Sequence, residues 1–211
     1  MAHTLLIAGV TGLIGSTTLR LALADPRIAR VHAPVRRELP GHPRSEQWID
    51  PDLTRALRDV RVDAVICCLG TTIRKVGGDR EKFVHVDKEL VLATAEWALR
   101  NGARVFVVVS SMGADKDSRI FYNRVKGEME EALRALELPA LHIFRPSILT
   151  GPRRETRIGE RIGILLMRLL TPLMVGPARP YRPMPHDVLA RALMRTALEP
   201  GSGVQVHTYD A

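Results

Sequence analysis

Tyr122 and Lys126 stand four residues apart in the run Phe121-Tyr122-Asn123-Arg124-Val125-Lys126. This run opens a helical pattern, and a helix would put both side chains on one face. A free phenol has a pKa of about 10, too high to supply phenolate at neutral pH. A neighbouring ammonium favours the phenolate and brings it toward the range in which a proton passes to or from an alcohol or carbonyl oxygen. Ser110 and Ser111 end the apolar run before that helix. A hydroxyl there can bond a substrate oxygen as charge develops on it, and Ser111 is the expected one of the two. The plainer reading is two surface residues on a helix and two serines that cap a strand end through local backbone bonds.

A second constellation lies near the start. Gly9-Val10-Thr11-Gly12-Leu13-Ile14-Gly15 falls between a predicted strand and a predicted helix, the context in which a glycine pattern carries meaning. Gly9 and Gly12 permit a tight turn and a close approach of backbone N–H groups to a pyrophosphate, while Gly15 lets helix and strand pack closely. The next strand ends in Arg36-Arg37, with no carboxylate before Glu38. An acidic residue at this point selects NAD through the ribose hydroxyls, whereas guanidiniums offer forked bonds to a 2′-phosphate. The expected cofactor is therefore NADP(H), and Lys126 is placed to bond its nicotinamide ribose. A solvated surface pair is the alternative for the two arginines.

The elements that must position these groups follow from periodicity. Thr4–Ala8, Val31–Val35, Ala64–Cys67, Arg104–Val109 and Ala140–Phe144 read as strands, and Leu13–Ala24, Glu81–Arg100 and Phe121–Leu136 as helices, with a weaker helix near Leu53–Asp59. Val105–Val109 shows no alternation, as suits a strand buried on both faces. The order predicts an α/β fold, a Rossmann-type doubly wound parallel sheet. After Pro146 come Gly, Pro and Arg, an apolar helix candidate within Ile162–Val175, a helix at Asp187–Leu198 capped by Asp187, and a short strand near Val204–His207. We expect one domain over residues 1–211, with a cofactor-binding core over 1–146 and a short C-terminal lid or substrate region over 147–211. The leucines of the apolar helix suit a substrate cover, a homodimer face or a helix closing the core.

Composition narrows the function classes. The net charge of +8 comes from arginines scattered along the chain, not from a block, so a small anionic ligand is expected and nucleic acid is not. Cys67 and Cys68 sit adjacent in an apolar run, which suits a reduced pair. His85, His142, His186 and His207 lack metal-ligand spacing, so no metal is expected. The apolar start has no basic region or cleavage site, and no run reaches the roughly 20 apolar residues of a spanning helix. A cytoplasmic protein is the expectation.

Cys67-Cys68-Leu69-Gly70-Thr71-Thr72, Ser110 to Asp115, Tyr122 to Glu128 and Phe144-Arg145-Pro146 together resemble the atypical short-chain dehydrogenase/reductases, in particular the Tat-interacting oxidoreductase family and its bacterial relatives of similar size. The resemblance implies that Thr11, Gly12, Leu13 and Ile14 contact the cofactor phosphates, Arg36 and Arg37 the 2′-phosphate, and Leu69 and Gly70 the cofactor beyond them. It also implies that Tyr122 is the proton acceptor with Lys126 its partner, and that Leu149 and Arg157 lie near the nicotinamide end. The chain departs from the family pattern at Met112, where extended members carry a third hydroxyl, and at Asp87, where many carry an active-site Asn. The leading expectation is an NADPH-dependent oxidoreductase acting on a carbonyl or alcohol. A non-catalytic NADPH-sensing module and a sugar-nucleotide epimerase or dehydratase are the alternatives.

Overall fold

The computed structural model describes residues 2–151, 182–199 and 201–208. Arg157 and the apolar helix expected within Ile162–Val175 lie outside the described residues. Strands β1 (His3–Ala8), β2 (Ile28–Val35), β3 (Ser45–Ile49), β4 (Ala64–Cys67), β5 (Val105–Val109), β6 (Ala140–Phe144) and β9 (Gly203–His207) form a seven-stranded sheet in the order β3-β2-β1-β4-β5-β6-β9. Every pairing in it is parallel, so all strand carboxyl ends lie along one edge. Two short strands, β7 (Leu149–Thr150) and β8 (Met184–Pro185), pair in parallel beside it.

Both faces of the sheet are covered, which is why its central strands are apolar without alternation. Leu5, Ile7, Ile66 and Val107 point into one core with helix α1 (Leu13–Ala24) and helix α6 (His186–Leu198). Leu6, Ala8, Val65, Phe106 and Val108 point into the other, against α4 (Leu90–Arg100) and α5 (Phe121–Ala135). The expected Rossmann-type doubly wound sheet is the fold found.

Four local differences from the expected elements have physical causes. Strand β3 was not expected, because its sequence Ser-Glu-Gln-Trp-Ile is mostly polar; it is held by Trp48, fully buried, stacked on His32 at 4.7 Å and edge-on to Trp97 at 5.9 Å. The weaker helix candidate is a single turn, α2 (Leu53–Ala56), whose first turn is capped by Asp52 accepting from the Thr54 N–H. The single helix expected over Glu81–Arg100 is broken into α3 (Arg80–Val84), a π-helical turn at His85–Glu89, and α4. Such one-turn π segments shift side chains round the helix axis and recur at functional sites. Finally, α6 starts one residue earlier than expected. Pro185 holds the cap position, and Asp187 sits in the first turn, where it makes no cap bond but favours the helix dipole.

Within the C-terminal region, α6 and β9 are built into the sheet's own structure. Leu189, Leu193, Met194 and Ala197 of α6 are buried against the β1–β4 core and α1. Strand β9 is attached to β6 by its ladder and by a pair of histidines: the His142 and His207 rings stack, with Nδ1 and Nε2 3.0 Å apart, and Phe144 stacks on His207. One ring nitrogen must donate and the other accept, so the bond is lost once both rings are protonated. Burial holds both imidazoles below the usual histidine range; for His207 the Arg195 charge adds to it, and for His142 its partner ring does. A depressed folded-state pKa leaves the unfolded chain binding more protons, so stability is full above the unfolded value of about 6.5 and falls as pH drops below it. The denaturation midpoint should therefore decrease between pH 7 and pH 5, and His142→Gln/His207→Gln should flatten that slope; equal slopes in the two proteins would separate the histidines from the effect.

Candidate functional site

The loop from Gly9 to Gly15 is shaped by backbone contacts. Gly9 has φ +83°, and a Cβ there would lie 2.6 Å from the Cys68 carbonyl oxygen, so the turn after β1 rests directly on the turn after β4. A Cβ on Gly15 would collide with the Gly9 carbonyl, so α1 can start this close to β1 only with glycine there. Gly12 occupies the N-cap of α1 with no side-chain cap bond and no acidic residue in the first turn. The first-turn amides and their positive end of the helix dipole are thus left for an anion. Thr11 and Gly12 are exposed at the tip, while Ile14 is buried in the core. Ile14 can therefore contribute to a ligand only through its backbone N–H, and the same holds for Leu69, which is buried against α4 and β4.

Arg36 and Arg37 follow β2 directly, are exposed, and make no hydrogen bond or ion pair among the described residues. Glu38 beside them is exposed as well. Cys67 and Cys68, at the end of β4, are both free thiols, and Cys67 is fully buried. Burial pushes the Cys67 thiol up to about 11 and drives Cys68 up too, so both stay protonated and unreactive at neutral pH.

Helix α5 carries Tyr122, Lys126 and Glu130 at successive four-residue intervals, one stripe along a single face. Tyr122 is half-buried, with its ring 5.7 Å from that of Phe83. Lys126 is buried, and its ammonium lies 2.8 Å from Oδ1 of Asp87, which is 1% exposed. Oδ2 of the same carboxylate accepts the Thr71 N–H at 2.7 Å. A Cβ added to Gly70 would come within 3.4 Å of Asp87 Oδ1 and 3.8 Å of Lys126 Nζ, so the backbone after β4 lies against the ion pair. The π turn is tied to α5 a second time by Lys88 and Glu128 at 2.7 Å.

Glu130 organises the strand-end serines. Its carboxylate accepts the Ser110 hydroxyl at 2.5 Å and is gripped by Arg145 through Nε at 3.0 Å and Nη2 at 2.6 Å. That bidentate contact also holds the Arg145 guanidinium above its ordinary range. Ser111 Oγ, by contrast, is buried and has no partner among the described residues. Of the two serines, only Ser111 keeps a free hydroxyl. Leu149 lies on β7, half-buried and opposite Met184.

Sequence reasoning missed Glu130 and Thr71, and placed Asp87 where many relatives carry an active-site Asn without assigning it a partner. Continuing the four-residue stripe past Lys126 would have reached Glu130; the Asp87 contact depends on a π turn that periodicity does not disclose. The residues present fit a dinucleotide: a glycine cradle that a Cβ would fill, open α1 amides, and a buried ammonium with one protein partner and donors to spare. Among the described residues no group of His, Cys, Asp and Glu could hold a metal ion, and no helix is long and apolar enough to cross a membrane.

The NAD dependent epimerase/dehydratase family profile matches residues 5–184. Protein HTATIP2 of Rattus norvegicus is 40% identical over 141 residues, 67% of this chain and 56% of the rat protein. Protein FMP52, mitochondrial, of Eremothecium gossypii is 34% identical over 177 residues, 78% of this chain and 75% of that protein. In structure, the Bordetella bronchiseptica enzyme WbmH in complex with NAD+ superposes with a TM-score of 0.72 at 17% identity, over 99% of this chain and 76% of that one. These similarities bear out the resemblance read from the motifs and the NAD(P)-binding Rossmann-type fold. They correct one expectation: the FMP52 relatives are named mitochondrial proteins, which overturns the cytoplasmic assignment.

Gly9→Ala should destabilise the chain by about 2–3 kcal/mol, from the positive φ together with the clash on the Cys68 carbonyl. Chemical denaturation measures it, and an unchanged midpoint would refute the close approach of the two turns.

Proposed function

We propose that this chain, which belongs to the NAD dependent epimerase/dehydratase family, is an NADP(H)-dependent oxidoreductase acting on a carbonyl or alcohol. The observation that carries the reading is Lys126, buried four residues from Tyr122 and beside the Gly70 backbone. Burying a Lys–Asp pair carries a desolvation cost that the pair's attraction only partly offsets, and a position of that cost suits a contact to a bound group better than a surface pair does.

The bound cofactor supplies the hydride donor or acceptor. The glycine loop and the α1 amides bind its pyrophosphate, with Thr11 and Gly12 at the exposed tip and Leu13 and Ile14 contributing backbone N–H groups. Arg36 and Arg37, unpaired at the end of β2, bind the 2′-phosphate by forked, charge-assisted bonds. Leu69, Gly70 and Leu149 lie along the rest of the site. Lys126 holds the nicotinamide ribose with donors that Asp87 does not use. Tyr122 passes a proton to or from the substrate oxygen, while Ser111 Oγ donates a hydrogen bond to that oxygen as it gains charge. Ser110, committed to Glu130, fixes the turn that presents Ser111.

Two measurements test this. NADPH should bind more tightly than NADH, and Arg36→Ala/Arg37→Ala should weaken NADPH by roughly 10- to 100-fold while leaving NADH nearly unchanged; equal affinities in the unmutated protein would sink the NADP assignment. In a carbonyl and quinone panel followed by NADPH oxidation, Tyr122→Phe should lower kcat by roughly 100-fold or more with NADPH binding retained. Undiminished turnover would remove Tyr122 from the chemistry, and a cofactor bound without turnover of any substrate would favour the sensing module.

A further inference from the structure

Asp87 does something the family's usual Asn at that position cannot do: it places a full negative charge 2.8 Å from the Lys126 ammonium in a buried setting. An amide would hold the lysine by a hydrogen bond and leave its charge intact. Here the two charges cancel at short range, so the site presents a neutral pair instead of a lone cation. The interaction of two charges a few ångströms apart strengthens as water is excluded, so this cancellation is felt by any charged group bound alongside.

The surroundings make the pair rigid. Asp87 sits at the centre of the π turn, its second oxygen is held by the Thr71 N–H, and Lys88–Glu128 clamps the same turn to α5. The Gly70 backbone covers the pair from the side of the β4 turn. Among the described residues, Asp87 is the carboxylate that pairs with Lys126.

We infer that Asp87 is a positioning residue that sets the preference of the site between the two redox forms of the cofactor, by neutralising Lys126 so that the cationic oxidised nicotinamide is not repelled. The inference rests on the reading of Lys126 as the contact to the nicotinamide ribose. The oxidised ring carries a positive charge and the reduced ring does not. A lone ammonium beside it would therefore penalise NADP+ selectively, whereas a neutral Lys–Asp pair penalises neither form. A carboxylate that served only to hold the fold would weaken both forms together.

The test is the ratio of the dissociation constants for NADP+ and NADPH, measured by calorimetry on the full chain without any substrate. Asp87→Asn keeps the side-chain shape and a bond acceptor for Thr71 but removes the charge; it should raise Kd(NADP+)/Kd(NADPH) by roughly three- to tenfold. Lys126→Gln leaves Asp87 uncompensated and should move the ratio the other way. Asp87→Asn/Lys126→Gln, neutral again, should return it close to the unmutated value even if both affinities have dropped. An unchanged ratio in Asp87→Asn, or shifts of the same sign in the two single variants, overturns the inference. Should Asp87→Asn fail to fold, the sign of the Lys126→Gln shift decides alone. Failure of the unmutated protein to bind either form would instead overturn the proposed function, so the two ideas fail separately.

Discussion

A buried ammonium constrains everything packed around it. Lys126 lies on the inner face of α5 with almost no solvent, and breaking a pair of this kind by removing one partner costs about 3–5 kcal/mol. The carboxylate that meets it must reach across from the neighbouring helix, and a regular helix over 81–100 would have had to supply it without a break. The π turn at His85–Glu89 holds Asp87 there and leaves Oδ2 to take the Thr71 N–H. Thus the ion pair joins α5 to the interrupted stretch of the preceding helix and to the turn after β4.

A second carboxylate repeats the principle one turn along. Glu130 is buried, takes the Arg145 guanidinium in a forked contact and receives the Ser110 hydroxyl. Arg145 comes from just beyond β6 and Ser110 from just beyond β5, so Glu130 fastens α5 to the carboxyl ends of two adjacent strands. Tyr122, Lys126 and Glu130 therefore divide one helix face into a half-buried end, an ionic middle and a structural anchor. The free Ser111 hydroxyl follows from this division: its neighbour is consumed by the anchor.

Features set by local periodicity were legible in the sequence. The apolar strands, the glycine loop between β1 and α1 and the Tyr122/Lys126 spacing each need only a few consecutive residues, and each was found where expected. What stayed hidden depends on partners distant in the chain. Strand β3 is polar except at its end and owes its place to Trp48 meeting His32 and Trp97. Asp87 and Ser110 are read differently once their partners, 39 and 20 residues away in sequence, are known. The helix α6 looks like an ordinary amphipathic segment until its apolar face is seen against α1 and the sheet.

The distribution of compensated and uncompensated cations follows from where each can be afforded. Arg36 and Arg37 are in water, where an unpaired guanidinium costs nothing to keep and is screened only by salt. Both guanidiniums keep their forked donors open to an anion. Lys126 has no such freedom, because an isolated charge at its depth is costly to bury. Asp87 at 2.8 Å offsets that cost and leaves a pair with little net field. Under the proposed function, recognition would rest on charge at the exposed end of the site and on shape and hydrogen bonding at the buried end.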